Sequence, residues 1–278
     1  MPYLTVGIEK GKDINIGYAD YGEGKPIILI HGWPLSHRMW EKQIAALTTA
    51  GYRVIAYDRR GFGESYKPWG GYEYDTFAAD LNALITSLDL SEVTLVGFSM
   101  GGGEVARYIG TYGTSRIAKA VLMSSVTPYL LKTIDNPEGV EQRVFDGMVA
   151  GLMKDRPKFL EDFTKMFVNW DEDGKELLSQ AALTNSWDIA VWASPKATVE
   201  CVKAFSTTDF RHDLAKFTIP TLVLHGDSDK IVPFEVSGQR AHEMIPGSEL
   251  VVITGGAHGL TYTQPEKVNE ALLTFLAK

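Results

Sequence analysis

Short, continuously apolar runs separated by stretches of helical periodicity constrain this chain more than any other feature. PIILIHG (Pro26–Gly32), YRVIAYD (Tyr52–Asp58), VTLVG (Val93–Gly97), KAVLMSS (Lys119–Ser125), IPTLVLHG (Ile219–Gly226) and ELVVITG (Glu249–Gly255) carry little apolar–polar alternation. Strands buried on both faces read this way, and both faces are covered when helices flank a parallel sheet. Between the runs, Tyr74, Phe77, Leu81, Leu84, Ile85 and Leu88 recur at helical spacing, which predicts an amphipathic helix over Asp75–Asp89. Further helices are expected over Gly101–Tyr112, Phe234–Ile245 and Pro265–Leu276, and over HRMWEKQIAALTTA, which Ser36 can cap. Tyr3–Ile8 and Ile14–Gly22 read as a hairpin turning at Lys10–Asp13. The expected class is α/β, a mostly parallel eight-stranded sheet with helices on both faces.

The rhythm breaks between Val126 and about Phe210. That segment is helix-like and aromatic, with Phe145, Phe159, Phe163, Phe167, Trp170, Trp187, Trp192 and Phe205. The expected organisation is a core over residues 1–125 and 211–278, with a helical cap, or lid, over 126–210. A length of 278 residues suits such a core plus lid. The net charge of −8 argues against a nucleic-acid partner, which needs a basic face. Cys201 is the single cysteine, so an intrachain disulfide and a multi-cysteine zinc site are both excluded. No apolar run approaches the roughly 18 residues of a membrane span. The opening MPYLTVGIEKGKD does not read as a signal peptide. A soluble, cytoplasmic protein with no membrane partner is expected.

LVGFSMGGGEVARY (Leu95–Tyr108) runs a strand into a glycine cluster and then into a helix. A phosphate loop needs G-x-x-x-x-G-K-[ST], but Gly103 and Glu104 stand where the Lys and Ser/Thr should be. Ser99 breaks the dinucleotide fingerprint G-x-G-x-x-G. What fits is G-x-S-x-G, Gly97 to Gly101, in which a serine sits on a tight strand-to-helix turn and the glycines leave room for it.

A serine hydroxyl is a poor nucleophile without a base. In sheets of this kind the partners lie in loops after later strands. Of the histidines, His258 alone lies in a loop after the last strand, between Gly256 and Gly259. His31 and His225 end strands in His-Gly pairs and read as loop-shaping; His37, His212 and His242 read as helix or surface positions. The acid is Asp227 or Asp229, both after one strand. Asp229, farther into the loop, is favoured, with Asp227 a turn-former bonding its own backbone. The oxyanion donors are expected to be the backbone N–H of Met100, just after the nucleophile, and that of Trp33 in the HGWPLS loop, since Pro34 has none to give. Trp33, Pro34, Phe163, Ile231 and Val232 are the candidate substrate-binding residues. DRRGFGES (Asp58–Ser65) reads as a loop shaped by Asp58–Arg60 ion pairing. No H-E-x-x-H or other metal-ligand spacing occurs, so no metal and no cofactor site are expected.

These residues resemble the α/β-hydrolase superfamily over nearly the whole chain. Within it, HGWPLS, YDRRGFGES, LVGFSMGGGEVARY, ASPKATVECVKAFSTTDFR, HGDSDKIVPFE and GGAHGL are similar to the cofactor-free haloperoxidases, also described as bromoperoxidases, perhydrolases and aryl esterases. The similarity is close in the core and looser over about Val126–Trp187. The resemblance implies the α/β-hydrolase fold, a Ser99–Asp229–His258 triad, and oxyanion donors at Trp33 and Met100. It implies acyl transfer from a small carboxylic ester or acid to water or hydrogen peroxide. The peracid formed with peroxide would oxidise a halide such as bromide off the enzyme, with no haem, vanadium or flavin. It also implies a homo-oligomer built on trimers. Pro34 restricts Trp33 and so fixes where the Trp33 carbonyl points, which is expected to favour peroxide over water. Dehalogenases and epoxide hydrolases use an aspartate where Ser99 stands. A lactonase, an amidase and a C–C-bond hydrolase would use the same triad, and a ligand-binding receptor is the reading from another class.

Overall fold

A computed structural model describes residues 1–278. The strands are β1 (Tyr3–Glu9), β2 (Lys12–Tyr21), β3 (Pro26–Ile30), β4 (Arg53–Tyr57), β5 (Val93–Phe98), β6 (Ile117–Met123), β7 (Thr221–Gly226) and β8 (Glu249–Ile253). They form one sheet in the order β1-β2-β4-β3-β5-β6-β7-β8. β1–β2 and β2–β4 pair antiparallel, and every later pair is parallel. β5 and β7 are buried along their whole length, as strands covered on both faces must be. β1, at the edge, alternates exposed and half-buried residues instead.

Helices fill the connections. They are α1 (Glu41–Thr49), α2 (Tyr74–Ser87), α3 (Met100–Tyr112), α4 (Gln142–Phe167), α5 (Lys175–Leu177), α6 (Gln180–Val191), α7 (Pro195–Thr207), α8 (Arg211–Leu214), α9 (Gly238–Met244), α10 (Leu260–Thr263) and α11 (Pro265–Leu276). α2 turns Tyr74, Phe77, Leu81, Leu84 and Ile85 into the core, the stripe its periodicity announces. Ser36 caps a 3₁₀ turn (His37–Trp40) ahead of α1, accepting from the Arg38 N–H. The helix expected over Phe234–Ile245 is broken: a 3₁₀ turn ends at Val236 and α9 begins at Gly238. Between them Ser237 takes φ −132° and ψ −86°, and its hydroxyl donates to the Pro233 carbonyl at 2.6 Å. No helix is long and apolar enough to cross a membrane.

From β6 the chain runs through α4 to α7 before rejoining the sheet at β7. α4 is interrupted at Asp155, φ −155° and ψ 87°. Pro157 disfavours helix in the residues before it, and the Asp155 carboxylate caps the second half by accepting from the Lys158 N–H at 3.1 Å. These helices are fastened to the loops beneath them. Trp33 Nε1 donates to the Thr198 carbonyl at 3.1 Å. The Ser194 N–H donates to Gly61 and the Gly259 N–H to Phe167, at 2.8 and 2.7 Å.

The topology decides where chemistry can occur. From β3 the chain steps to β4 on one side, then crosses back to β5 on the other. Diverging connections open a crevice at the carboxyl ends of β3 and β5. Ile30 pairs with Gly97 there, so the loops leaving β3 and β5 emerge side by side.

Candidate active site

The turn at Ser99 is built from what its neighbours lack. Ser99 sits at φ 54° and ψ −117°, a conformation that costs a residue with a Cβ about 1–3 kcal/mol. Its N–H donates to Met123 at 2.8 Å, and its carbonyl accepts from Gly102 at 2.9 Å and Val126 at 3.3 Å, so both sides of the turn are held. A Cβ on Gly97 would collide with the Gly101 carbonyl, and one on Gly101 with the Ile30 carbonyl. These are backbone obstacles that cannot rotate away. The glycines let α3 start directly against β3 and β5.

Ser99, Asp229 and His258 lie after β5, β7 and β8, and the fold brings them together. The Ser99 hydroxyl donates to His258 Nε2 across 2.9 Å. His258 Nδ1–H donates to Asp229 Oδ2 across 2.6 Å. Asp229 Oδ1 accepts from the N–H groups of Ile231 and Val232, at 3.0 and 2.8 Å. With Nδ1 protonated toward the carboxylate, Nε2 is the acceptor that faces the serine. All three residues are buried, Ser99 to 6% exposure. Burial works against the charged carboxylate, but His258 and His225 beside it outweigh burial and hold the Asp229 carboxyl well below the usual carboxylate range. His225 Nε2–H donates to the Val232 carbonyl at 2.9 Å and lies 3.3 Å from Asp229 Oδ2, so it braces the acid loop. Asp227 does not bond its own backbone: its Oδ1 accepts from the Gly255 N–H of the next loop at 2.7 Å and from the neighbouring Ser228 hydroxyl at 3.2 Å.

Met100 opens α3, so its N–H has no acceptor within the helix. The Trp33 N–H has no backbone acceptor either. A Cβ built on Gly32 would stand 3.1 Å from that of Ser99, so the Trp33 loop and the serine are in contact. Pro34 follows Trp33 through a cis bond. The Trp33 indole packs edge-on against Phe163 at 4.9 Å and Phe205 at 5.8 Å between ring centres. Ile231 is half-buried and Val232 buried, both on the Asp229 loop.

DRRGFGES differs from the expectation. Asp58 and Arg60 are not paired. The Asp58 carboxylate accepts from the His37 N–H at 2.7 Å, from His37 Nδ1 at 2.9 Å and from the Glu64 N–H at 2.8 Å. Arg60 instead clasps Asp80 on α2 with two bonds of 2.7 Å. His37 is therefore tied into the loop rather than free at the surface. His31 is fully buried. Its Nδ1 donates to the Gly32 carbonyl at 2.8 Å and its Nε2 accepts from the Arg59 N–H at 3.0 Å. Burial, and then the Arg59 charge, lower its pKa to about 3, so it is a neutral imidazole.

Sequence reasoning misses two groups. Arg59 and Glu104 form a buried pair beneath the Trp33 loop, and Tyr57 bonds to the same carboxylate. Nothing in G-x-S-x-G marks Glu104, although a carboxylate on the buried face of a helix this apolar is itself a sign of a buried partner. His258 is sandwiched by Phe98, with ring centres 5.0 Å apart, and Phe167, at 5.3 Å and edge-on. Phe167 lies one helical turn beyond Phe163, so the aromatic spacing i, i+4 was the available signal.

The model of the alpha/beta hydrolase fold family matches residues 25–265. The crystal structure of a bromoperoxidase from Bacillus anthracis is 54% identical and superposes with a TM-score of 0.96, covering 100% of this chain and 99% of that one. A non-heme chloroperoxidase of Kitasatospora aureofaciens is 45% identical over 267 residues, 95% of this chain and 97% of its own. A bifunctional esterase/perhydrolase of Acinetobacter calcoaceticus is 38% identical over 280 residues, 99% of each chain.

Proposed function

Because the chain belongs to the alpha/beta hydrolase family, we propose that Ser99, His258 and Asp229 are the catalytic triad of a serine hydrolase with esterase and perhydrolase activity. The observation that carries this reading is the continuous chain Ser99 Oγ–His258 Nε2 and His258 Nδ1–Asp229 Oδ2, at 2.9 and 2.6 Å. His258 takes the hydroxyl proton as Ser99 attacks the acyl carbon. Asp229 stays ionised, fixes the His258 tautomer and stabilises the imidazolium. The Trp33 and Met100 N–H groups receive the oxyanion, each contributing about 3 kcal/mol to lowering the barrier. His258 then returns the proton to the leaving alkoxide, and an acyl-enzyme remains.

The acyl-enzyme is opened by a second nucleophile that His258 deprotonates. Water gives the carboxylic acid. Hydrogen peroxide gives a peracid, which oxidises bromide to hypobromous acid in solution and is itself reduced to the acid. The bromoperoxidase and esterase/perhydrolase relatives support this pair of outcomes. Ser99 is only 6% exposed, and the Trp33, Phe163 and Phe167 rings pack around the site, which suits a short acyl chain. Pro34, Ile231 and Val232 complete the pocket wall in this reading. We place the protein in the cytoplasm as a trimer-based homo-oligomer, which fractionation and sedimentation test.

The decisive experiment is p-nitrophenyl acetate hydrolysis, run beside peracid formation from acetate and hydrogen peroxide. Wild type is expected to show an acyl-enzyme burst and both activities, and Ser99→Ala neither. Equal rates for wild type and Ser99→Ala would overturn the reading.

A further inference from the structure

The acid and the base come from different loops, yet their bond is short. One segment outside both loops grips each of them. At the end of α4 the Phe167 carbonyl accepts from the N–H of Gly259, the residue after His258, at 2.7 Å. Two residues later the Asn169 side-chain amide donates from Nδ2 to the carbonyl of Ser228, the residue before Asp229, at 2.9 Å. The Phe167 ring meanwhile stands edge-on to the His258 imidazole. Glu172 and Lys230 pair at the surface beside these contacts.

Local geometry is adapted to this grip. Asn169 takes the left-handed conformation, φ 50° and ψ 45°, which turns the chain out of α4 and aims its amide back at the acid loop. Asparagine is among the few side chains that tolerate that conformation. Gly259 sits at φ −77° and ψ 37°, so its backbone does not need glycine. What needs glycine is Phe167: a Cβ there would come within 2.6 Å of the ring and 3.0 Å of the carbonyl oxygen.

We propose that Phe167–Asn169 is a strap from the cap that holds the His258 and Asp229 loops in register, with Asn169 a positioning residue acting through Asp229. The proposal rests on the triad reading above. The two loops are also tied at their bases, by Asp227 to Gly255 and by the Ser228 N–H to Gly256. The strap adds the tie on the cap side, next to the two residues that must meet.

Two variants test it from opposite ends in the full chain. Asn169→Gly removes the amide donor at a position where glycine is unstrained. Gly259→Ala keeps a compatible backbone and pushes Phe167 away. Each is expected to lower kcat for p-nitrophenyl acetate about tenfold, since sub-ångström misplacement of a reacting group has effects of that order. KM should stay within about twofold, because the lost interaction serves the transition state. The far-downfield proton resonance of the His258–Asp229 hydrogen bond should weaken or vanish while the thermal transition stays cooperative. Wild-type kcat with an intact resonance in both variants would overturn the strap, as would a raised KM at unchanged kcat. Ser99→Ala separates the two levels. If it is inactive while both strap variants behave as wild type, only the strap fails. If Ser99→Ala turns over like wild type, the triad reading fails and the strap with it.

Discussion

Arg59 Nε and Glu104 Oε2 are 2.7 Å apart, and the two side chains are 1% and 0% exposed. Burial pushes the Glu104 carboxyl up against the pull of Arg59, and Glu104 in turn holds the Arg59 charge in place against its own burial. The same guanidinium donates from Nη2 to the His31 carbonyl at 2.9 Å. A carboxylate on the helix that Ser99 precedes thereby anchors the loop that carries the Trp33 N–H.

Breaking that pair on one side should cost far more than removing it. Arg59→Met strips the buried Glu104 carboxyl of its counter-charge and hydrogen-bond donor, a loss of about 3–5 kcal/mol in unfolding free energy. Adding Glu104→Gln removes the stranded carboxyl and should restore much of the loss. Urea midpoints of the single and double variants read this directly, and additive losses would contradict it.

Asp229→Asn should leave a folded protein whose kcat falls by about 10⁴, the effect of losing the correct histidine tautomer. The Asp229 carboxyl is held low in the folded state, so its stabilising contribution is present above the usual carboxylate pKa and is lost as pH falls below it. Its own titration therefore leaves activity at neutral pH untouched. A pH–rate profile whose acidic limb survives in Asp229→Asn, at reduced height, is the expected result.

His31 should make the fold acid-sensitive. Its pKa is about 3 in the folded protein, against 6.5 for a free histidine. Between these values the unfolded chain binds a proton that the native state refuses, so stability falls as pH drops through this window and is fully present above it. The loss should reach ~2 kcal/mol at pH 5, read as a shift in urea midpoint between pH 7.5 and pH 5. His31→Gln should flatten that slope.

Pro34→Leu should lower the ratio of perhydrolysis to hydrolysis. Proline fixes its own φ and restricts the residue before it, so in the proposed mechanism it sets the direction of the Trp33 carbonyl beside the approach of the second nucleophile. Peracid and acid formation measured from one acyl donor give the ratio, and an unchanged value would remove Pro34 from the account.

The local pattern of this chain carried most of the framework. Strands buried on both faces appear as unbroken apolar runs, and α11 begins at Pro265 and ends at Leu276 as its periodicity predicts. Ser99, Asp229 and His258 could be singled out as candidates because a nucleophile, an acid and a base of this kind must each follow a parallel strand, and turn glycines mark those places; the fold brings the three together. Their approach to within 2.6–2.9 Å could not be read, because it depends on strand order across 159 residues of chain. Sequence adjacency misled at Asp58 and Arg60. Arg60 found Asp80 on α2, and Asp58 was taken up by His37 and the Glu64 N–H. Arg59 and Glu104 are 45 positions apart, and Asn169 reaches a carbonyl 59 positions away. Periodicity and turn chemistry record which face a residue buries and where the chain bends. Which buried charge meets which partner, and which α4 residue leans on His258, are decided only when the topology brings distant segments to one crevice.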